Sequence, residues 1–224
     1  MRCRRIAGGS ARLESLDAAA RLAYLRENLR RGARHVRAWH YAWSGIYGAL
    51  TTYQLVLIPF GDREQRIDYY FGASSALLGF AVLWIAPLKV MRDQRWLERR
   101  IAAAPPGESP CAPLADAERL LLRDAASEAF GKSALVHAGN VALNVGLLLA
   151  LGFGFGHWQQ AAIQGPVGIV VGELQIFSQP RDEMTTLARY RSGQLTPAPR
   201  ERYWLSVVPD LSRDRAGLSL TIDF

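Results

Sequence analysis

Residues 134–155 read ALVHAGNVALNVGLLLALGFGF, without a single Asp, Glu, Lys or Arg. A helix rises about 1.5 Å per residue and needs roughly 20 apolar residues to cross the hydrocarbon of a bilayer. This stretch has that length and composition. A second apolar run, Gln160–Ser178, follows after only Gly156–Gln159, too short a link for anything but a tight turn. The two runs therefore form a helical hairpin. Toward the N-terminus the pattern recurs: Tyr41–Phe60 and Ile67–Leu88 are apolar, and Gly61–Arg66 joins them. The expected fold is an all-α membrane protein with four transmembrane helices arranged as two hairpins. Cytoplasmic amphipathic helices and a small C-terminal β-hairpin complete it. The segments are 1–40, a basic amphipathic helix; 41–88, the first hairpin; 89–133, a linker and short helix; 134–178, the second hairpin; and 179–224, the tail.

The formal charge of +7 comes almost wholly from arginine, since Lys89 and Lys132 are the only lysines. Of the 27 basic residues, Arg63 and Arg66 alone fall in the two tight turns. Cytoplasmic loops retain positive charge, so the N-terminus, the middle segment and the C-terminus are expected on the cytoplasmic side of an inner membrane of bacterial type. Trp39, Trp43 and Trp84 lie at that interface and Tyr69, Tyr70 and Trp158 at the other, as amphipathic rings prefer. The basic excess thus points to anionic lipid headgroups at the cytoplasmic face as partner. No nucleic-acid-reading motif accompanies it, and no nucleic-acid partner is expected. The opening MRCRRIAGGSARLESLD has no apolar core of a cleaved signal, so the first span is expected to target the chain.

Outside the spans, Leu13, Leu16, Ala20, Ala23 and Leu29 recur at near-helical spacing behind Ser10, a candidate N-cap. The stretch AAAPPGESPCAP reads as a linker, and a helix over 115–130 is expected after it, capped by Asp116. In the tail, Tyr203, Leu205 and Val207 alternate, as do Leu218, Leu220, Ile222 and Phe224, with PDLSRDRAG as a long turn between two strands. Cys3 and Cys111 lack CxxC spacing, so neither a disulfide framework nor a zinc site is expected.

The two halves resemble each other. GASSALLGFAVLWIAP and GPVGIVVGELQIFSQP place Gly72, Gly79 and Pro87 at the same spacings as Gly165, Gly172 and Pro180. A duplicated hairpin of this kind would relate the halves by an axis along the membrane normal.

Each span carries a small or polar face. Gly72, Ser75 and Gly79 mark the second and Gly165, Gly168 and Gly172 the fourth, where close backbone approach holds helices together in lipid. One cluster goes further. Glu173 lies inside an apolar run, and an ionisable group there is costly. His137 and Asn140 enter the neighbouring antiparallel span from the same side and reach a similar depth, with Asn144 one turn deeper. Such a set would relay a proton, bind a cation or anchor two helices. His40 and His137 are the one conceivable haem pair, too few for a four-helix cytochrome, and no cofactor or metal is expected.

No nucleotide loop, HExxH, GxSxG or acidic metal cluster is present, so no enzyme is expected. The leading functional reading is a membrane interaction or scaffold subunit, joined through its glycine faces to copies of itself or to another membrane protein. The alternative is a small transporter or channel using His137, Asn140, Asn144 and Glu173.

Overall fold

The computed structural model describes Cys3, residues 6–105 and 107–196 in full, and the backbone of 204–212 and 215–223. From Cys3 to Thr196 the described chain is all-helical: α1 (Ala11–Ser15), α2 (Ala18–Leu57), α3 (Arg63–Ile85), α4 (Val90–Ala102), α5 (Cys111–Gly131), α6 (Ala134–Phe155), α7 (Trp158–Ser178) and α8 (Asp182–Arg191). A 3-10 turn, Ile58–Phe60, follows α2. Beyond these helices, β1 (Trp204–Ser212) and β2 (Arg215–Asp223) pair antiparallel, from Trp204↔Asp223 to Ser212↔Arg215. The ladder runs through most of the PDLSRDRAG stretch expected as a long turn and leaves only two residues between the strands.

Among the described residues three helical stretches are long and apolar enough to cross a membrane, and their apolar parts are α3, α6 and α7. Leu77, Ile85, Leu135, Phe153 and Phe177 stand exposed along them, a surface that water would not tolerate and lipid would. The chain is in this sense membrane-embedded. The expected first span, Tyr41–Phe60, is the second half of α2 together with the 3-10 turn that follows it. Its Ser44, Thr51, Thr52 and Gln54 dilute the apolar character, so it falls short of the same standard. It packs along α3 nonetheless.

Local signals set the ends. Asp62 accepts from the Gln65 backbone N–H while the Gln65 side chain accepts from Asp62, a capping box that starts α3. Gly156 closes α6 at φ 77°, a conformation that favours glycine. Ser10 caps only the short α1, through Leu13 N–H, and Asp17 caps α2. The basic amphipathic helix and the first span are thus one uninterrupted helix of 40 residues, not two elements divided at residue 40. The residues around the expected boundary, Arg37 to Ser44, contain no glycine or proline to break it. Asp116 caps nothing; it lies inside α5 and pairs with Arg119 and Arg100.

The polar ends of α2, α4, α5 and α8 form a helical skirt at one end of the spans. Its core holds Leu25, Leu29 and Val36 of α2, Leu97 of α4, Leu121 of α5 and Tyr190 of α8. Across it, Arg21 Nε donates to the Tyr190 hydroxyl at 2.8 Å, and Tyr190 donates to Glu118 Oε1 at 2.5 Å. The Arg21 guanidinium also pairs with Glu118 directly. The N-terminal strand of chain folds back over this bundle: Ile6 is buried, and Ser10 N–H donates to the Arg191 carbonyl at 2.9 Å. That return brings Cys3 to the first residue of α5, with the Cα atoms of Cys3 and Cys111 5.3 Å apart in a disulfide. The expectation of no disulfide is corrected here. The two cysteines lie 108 residues apart, and only the tertiary fold joins them.

The halves match beyond the three residues seen in sequence. The offset that carries Gly72 onto Gly165 also carries Ala18 onto Cys111, Ile85 onto Ser178 and Val90 onto Glu183, which are helix ends or lie next to them. Packing follows the same rule: α4 lies on α2 as α8 lies on α5, and α5 touches α4 as α2 touches α8. The halves differ at one joint, since α2 is continuous where α5 and α6 are broken at Lys132–Ser133.

Candidate functional site

Within each hairpin the glycines let the helices close. A side chain at Gly79 would meet the Tyr47 ring at 2.6 Å, and one at Gly72 the Gln54 amide at 2.7 Å. In the second hairpin Gly165 faces Leu148 at 2.6 Å, Gly168 faces Asn144 and Gly172 faces Asn140. These glycine stripes are therefore covered by the partner helix of their own hairpin. Ser75 faces elsewhere, into the space between hairpins.

That space is a chamber of about 1060 Å³ bounded by α2, α3, α6 and α7. Its wall is mainly apolar, with a polar band of Gln54, Ser75, Asn140, Asn144, Gln164 and Gln175. At the skirt end it is lined by Lys89, Arg92 and Arg123. Arg123 is held by Asp93, with Nε donating to Oδ2 at 2.8 Å, whereas Lys89 and Arg92 are exposed. His40 also lines the chamber and lies edge-on to Trp84, ring centroids 4.9 Å apart.

Two seams join the hairpins. Between α2 and α7, Tyr47 donates to Gln175 Oε1 at 2.6 Å, and the indole N–H groups of Trp39 and Trp43 both donate to the Ser178 hydroxyl at 3.1 and 3.0 Å. Between α3 and the second hairpin the contacts gather at the turn end. His157 Nδ1 lies 2.7 Å from Asp68 Oδ1, Gln164 donates to the Asp68 carbonyl at 3.2 Å, and Phe71 meets Phe155 edge to face at 5.3 Å. The chamber is closed at that end.

The four candidate polar residues divide. Glu173 receives His137 Nδ1 at 2.6 Å and Asn140 Nδ2 at 2.9 Å; Asn140 also donates to the Ile169 carbonyl, and Asn144 donates to Asn140 at 3.0 Å. All of these contacts lie within the second hairpin. Asn140 and Asn144 line the chamber, whereas His137 and Glu173 sit on the hairpin's half-exposed flank, with Phe177 against the imidazole. His137 and His40 are on different sides of this division.

Sequence reading missed the Tyr47–Gln175 and Asp68–His157 links. The second carried a signal: both residues fall at the turn-side interface, where an ionisable pair at one depth is worth matching. It also missed a buried acidic group in the skirt. Asp93, Asp124, Glu128 and Glu183 are each at most 1% exposed. Glu128 Oε2 accepts from the Glu183 and Met184 backbone N–H groups, both at 3.0 Å, at the start of α8. Both carboxyl oxygens of Glu183 have no hydrogen-bond partner, and Asp124 lies against Asp93. Burial, with Asp93 beside it, lifts Asp124 to about 9, and burial lifts Glu128 to about 8. Burial and then Glu128 push Glu183 well up. Among the described residues no group of His, Cys, Asp and Glu is arranged to hold a metal ion.

No family model, no curated protein and no solved structure matches the chain.

Proposed function

We propose that the chain is a four-span, two-hairpin protein of a bacterial inner membrane, built by duplication, that binds an amphipathic small molecule in the chamber between its hairpins. The chamber carries this reading: about 1060 Å³ of mostly apolar space with an amide band on its wall and cations at one end. Ligand pockets are typically roughly 300–1,000 Å³, mainly apolar, with a few polar groups that orient the guest. The reading belongs to the solute-handling class, and it assigns the contact with solute to Asn140 and Asn144 rather than to His137 and Glu173. Binding rather than catalysis is proposed, since among the described residues no serine of the chamber wall is hydrogen-bonded to His40. A scaffold joined through glycine faces has less support, because those faces are covered inside each hairpin. The fourth span is the second half of α2, which runs antiparallel to α3 across the whole hairpin.

The orientation proposed is the one the arginines favour, with the skirt cytoplasmic. The disulfide supplies a test. In a reducing cytoplasm Cys3 and Cys111 would stand as thiols, and on the oxidising side as a bridge. Maleimide applied to freshly lysed cells should therefore label both cysteines; protection of both until a reductant is added would reverse the orientation.

Binding is tested by native mass spectrometry of the gently solubilised protein. A bound molecule is expected on the wild type and at reduced occupancy on Ser75→Phe and Gly139→Phe, each of which places a benzyl group in the chamber. Gly139 has open space in front of it, so the larger side chain can be accommodated without displacing a helix. A bare wild-type protein, or full occupancy in both variants, overturns the reading.

A further inference from the structure

The two seams occupy equivalent places in the two halves, and their skirt-side parts differ. The offset that relates the halves carries Trp39, Trp43 and Tyr47 of α2 onto Lys132, Val136 and Asn140, and carries Val82 and Ile85 of α3 onto Gln175 and Ser178 of α7. In the α2–α7 seam these positions are hydrogen-bonded, tyrosine to glutamine and both indoles to the serine. In the α3–α6 seam the equivalents cannot bond. Val82 and Ile85 have no polar side-chain atom, Asn140 turns to Ile169 and Glu173, and Lys132 donates to the Ile176 and Phe177 carbonyls. Val82 is 56% exposed and Ile85 82%, yet both line the chamber, as do Val136 and Asn140. The skirt-side half of this seam is thus an opening with apolar jambs, and the ring contact and ion pair of α3 with the second hairpin lie toward the turn end.

An opening at that height faces acyl chains, not water. Directly beyond Ile85 the chain breaks at Ala86–Leu88, and Lys89 and Arg92 follow at the same mouth, both exposed. Arg92 Nε lies 3.9 Å from Asp93 Oδ1, a loose contact, since Asp93 is held more closely by Arg123. Two cations are therefore available at headgroup level beside an apolar doorway. The chamber lies at the top of the usual range for ligand pockets and is mainly apolar, which gives acyl chains room.

Resting on the chamber reading above, the geometry points to a lateral portal between α3 and α6 through which an anionic phospholipid enters from the surrounding bilayer, its acyl chains in the chamber and its phosphate at Lys89 and Arg92. Each basic side chain near an anionic headgroup favours it by about fivefold. A zwitterionic lipid would gain little from either.

The test uses the full chain in nanodiscs of equal phosphatidylglycerol and phosphatidylcholine, transferred to mild detergent for lipid counting by native mass spectrometry. Phosphatidylglycerol should be retained in preference, and Lys89→Gln or Arg92→Gln should each reduce the preference about fivefold. Val82→Trp, bulky in the doorway but at a lipid-exposed position, should slow uptake of added phosphatidylglycerol without changing the melting temperature. Equal retention of both lipids, or unchanged uptake by Val82→Trp, overturns the proposal. A wild type carrying a water-soluble molecule and no phospholipid overturns the portal and leaves the chamber reading standing. A wild type carrying nothing overturns both.

Discussion

Tyr47 donates its hydroxyl hydrogen to Gln175 at 2.6 Å, a bond that ties α2 of the first hairpin to α7 of the second. Interhelical hydrogen bonds in membrane proteins contribute about 0.6 kcal/mol on average, up to roughly 1.7. Tyr47→Phe and Gln175→Leu should each destabilise the protein within that range. The double variant should cost less than the two single changes together, because one bond is lost in all three. Thermal unfolding in a fixed detergent measures the cycle; additive losses would show that the bond contributes nothing.

Gly168 and Gly172 lie where a Cβ would collide with the amides of Asn144 and Asn140. Gly168→Ala should lower stability by about 1–3 kcal/mol, the usual cost of overpacking. Gly168→Ala combined with Asn144→Ala should recover most of it. Gly45→Ala serves as control, since nothing stands within 4 Å of its Cβ position. If Gly168→Ala melts with the wild type, the Asn144 amide swings aside and is not held in place against Gly168.

The His137–Glu173 pair sits on a half-exposed flank and not in the chamber wall. Glu173→Gln keeps an acceptor for Asn140 and removes the charge. The expected result is an unchanged chamber adduct with a stability loss below about 1.5 kcal/mol, the scale of a single hydrogen bond. Loss of the adduct in a folded Glu173→Gln protein would return this pair to the centre of function.

The buried skirt carboxyls set a pH dependence. Asp124 and Glu128 are raised to about 9 and about 8, from roughly 4 in an unfolded chain. Groups raised on folding bind protons more tightly in the folded state, so their contribution is full below about pH 4. It is lost as pH rises toward the folded values of about 8 to 9. The groups around them are Asp93 of α4, Arg123 of α5 and Lys132 just after it, and Asp182 and Glu183 of α8. Melting temperature should fall between about pH 6 and 9, and Asp124→Asn should flatten that slope. A slope of opposite sign, or one unaltered by Asp124→Asn and Glu183→Gln, would contradict the burial of these acids.

The limits of the sequence lie in particular residues. Ala134–Phe155 shows the same ends in sequence and structure because Gly156 closes it and nothing polar interrupts its second half. The second half of α2 is harder to read, because Tyr47 and Gln54 face the partner helix or the chamber, Thr51 bonds back to the Tyr47 carbonyl, and all three dilute an apolar count. Its continuity with the arginine-rich half is invisible to composition, since a helix has no local mark where it leaves the headgroups. The meeting of Asn140 with Glu173 was legible, because polar residues at matching depths on antiparallel neighbours have few other partners. Tyr47 and Gln175 gave no such signal, as both residue types are also ordinary at a membrane interface. The Cys3–Cys111 bridge depends on the return of the N-terminal strand over α8, which no local pattern encodes.

The uneven break between the halves has a mechanical consequence. At about 1.5 Å per residue, α2 is a rod roughly 60 Å long that fixes its part of the skirt rigidly to its span. Its counterpart is jointed at Lys132–Ser133, between α5 and α6. Any swing of the second hairpin against the skirt therefore pivots at that joint while the rod holds still. Lys132, clasping the carbonyls of Ile176 and Phe177 across the joint, acts as its latch.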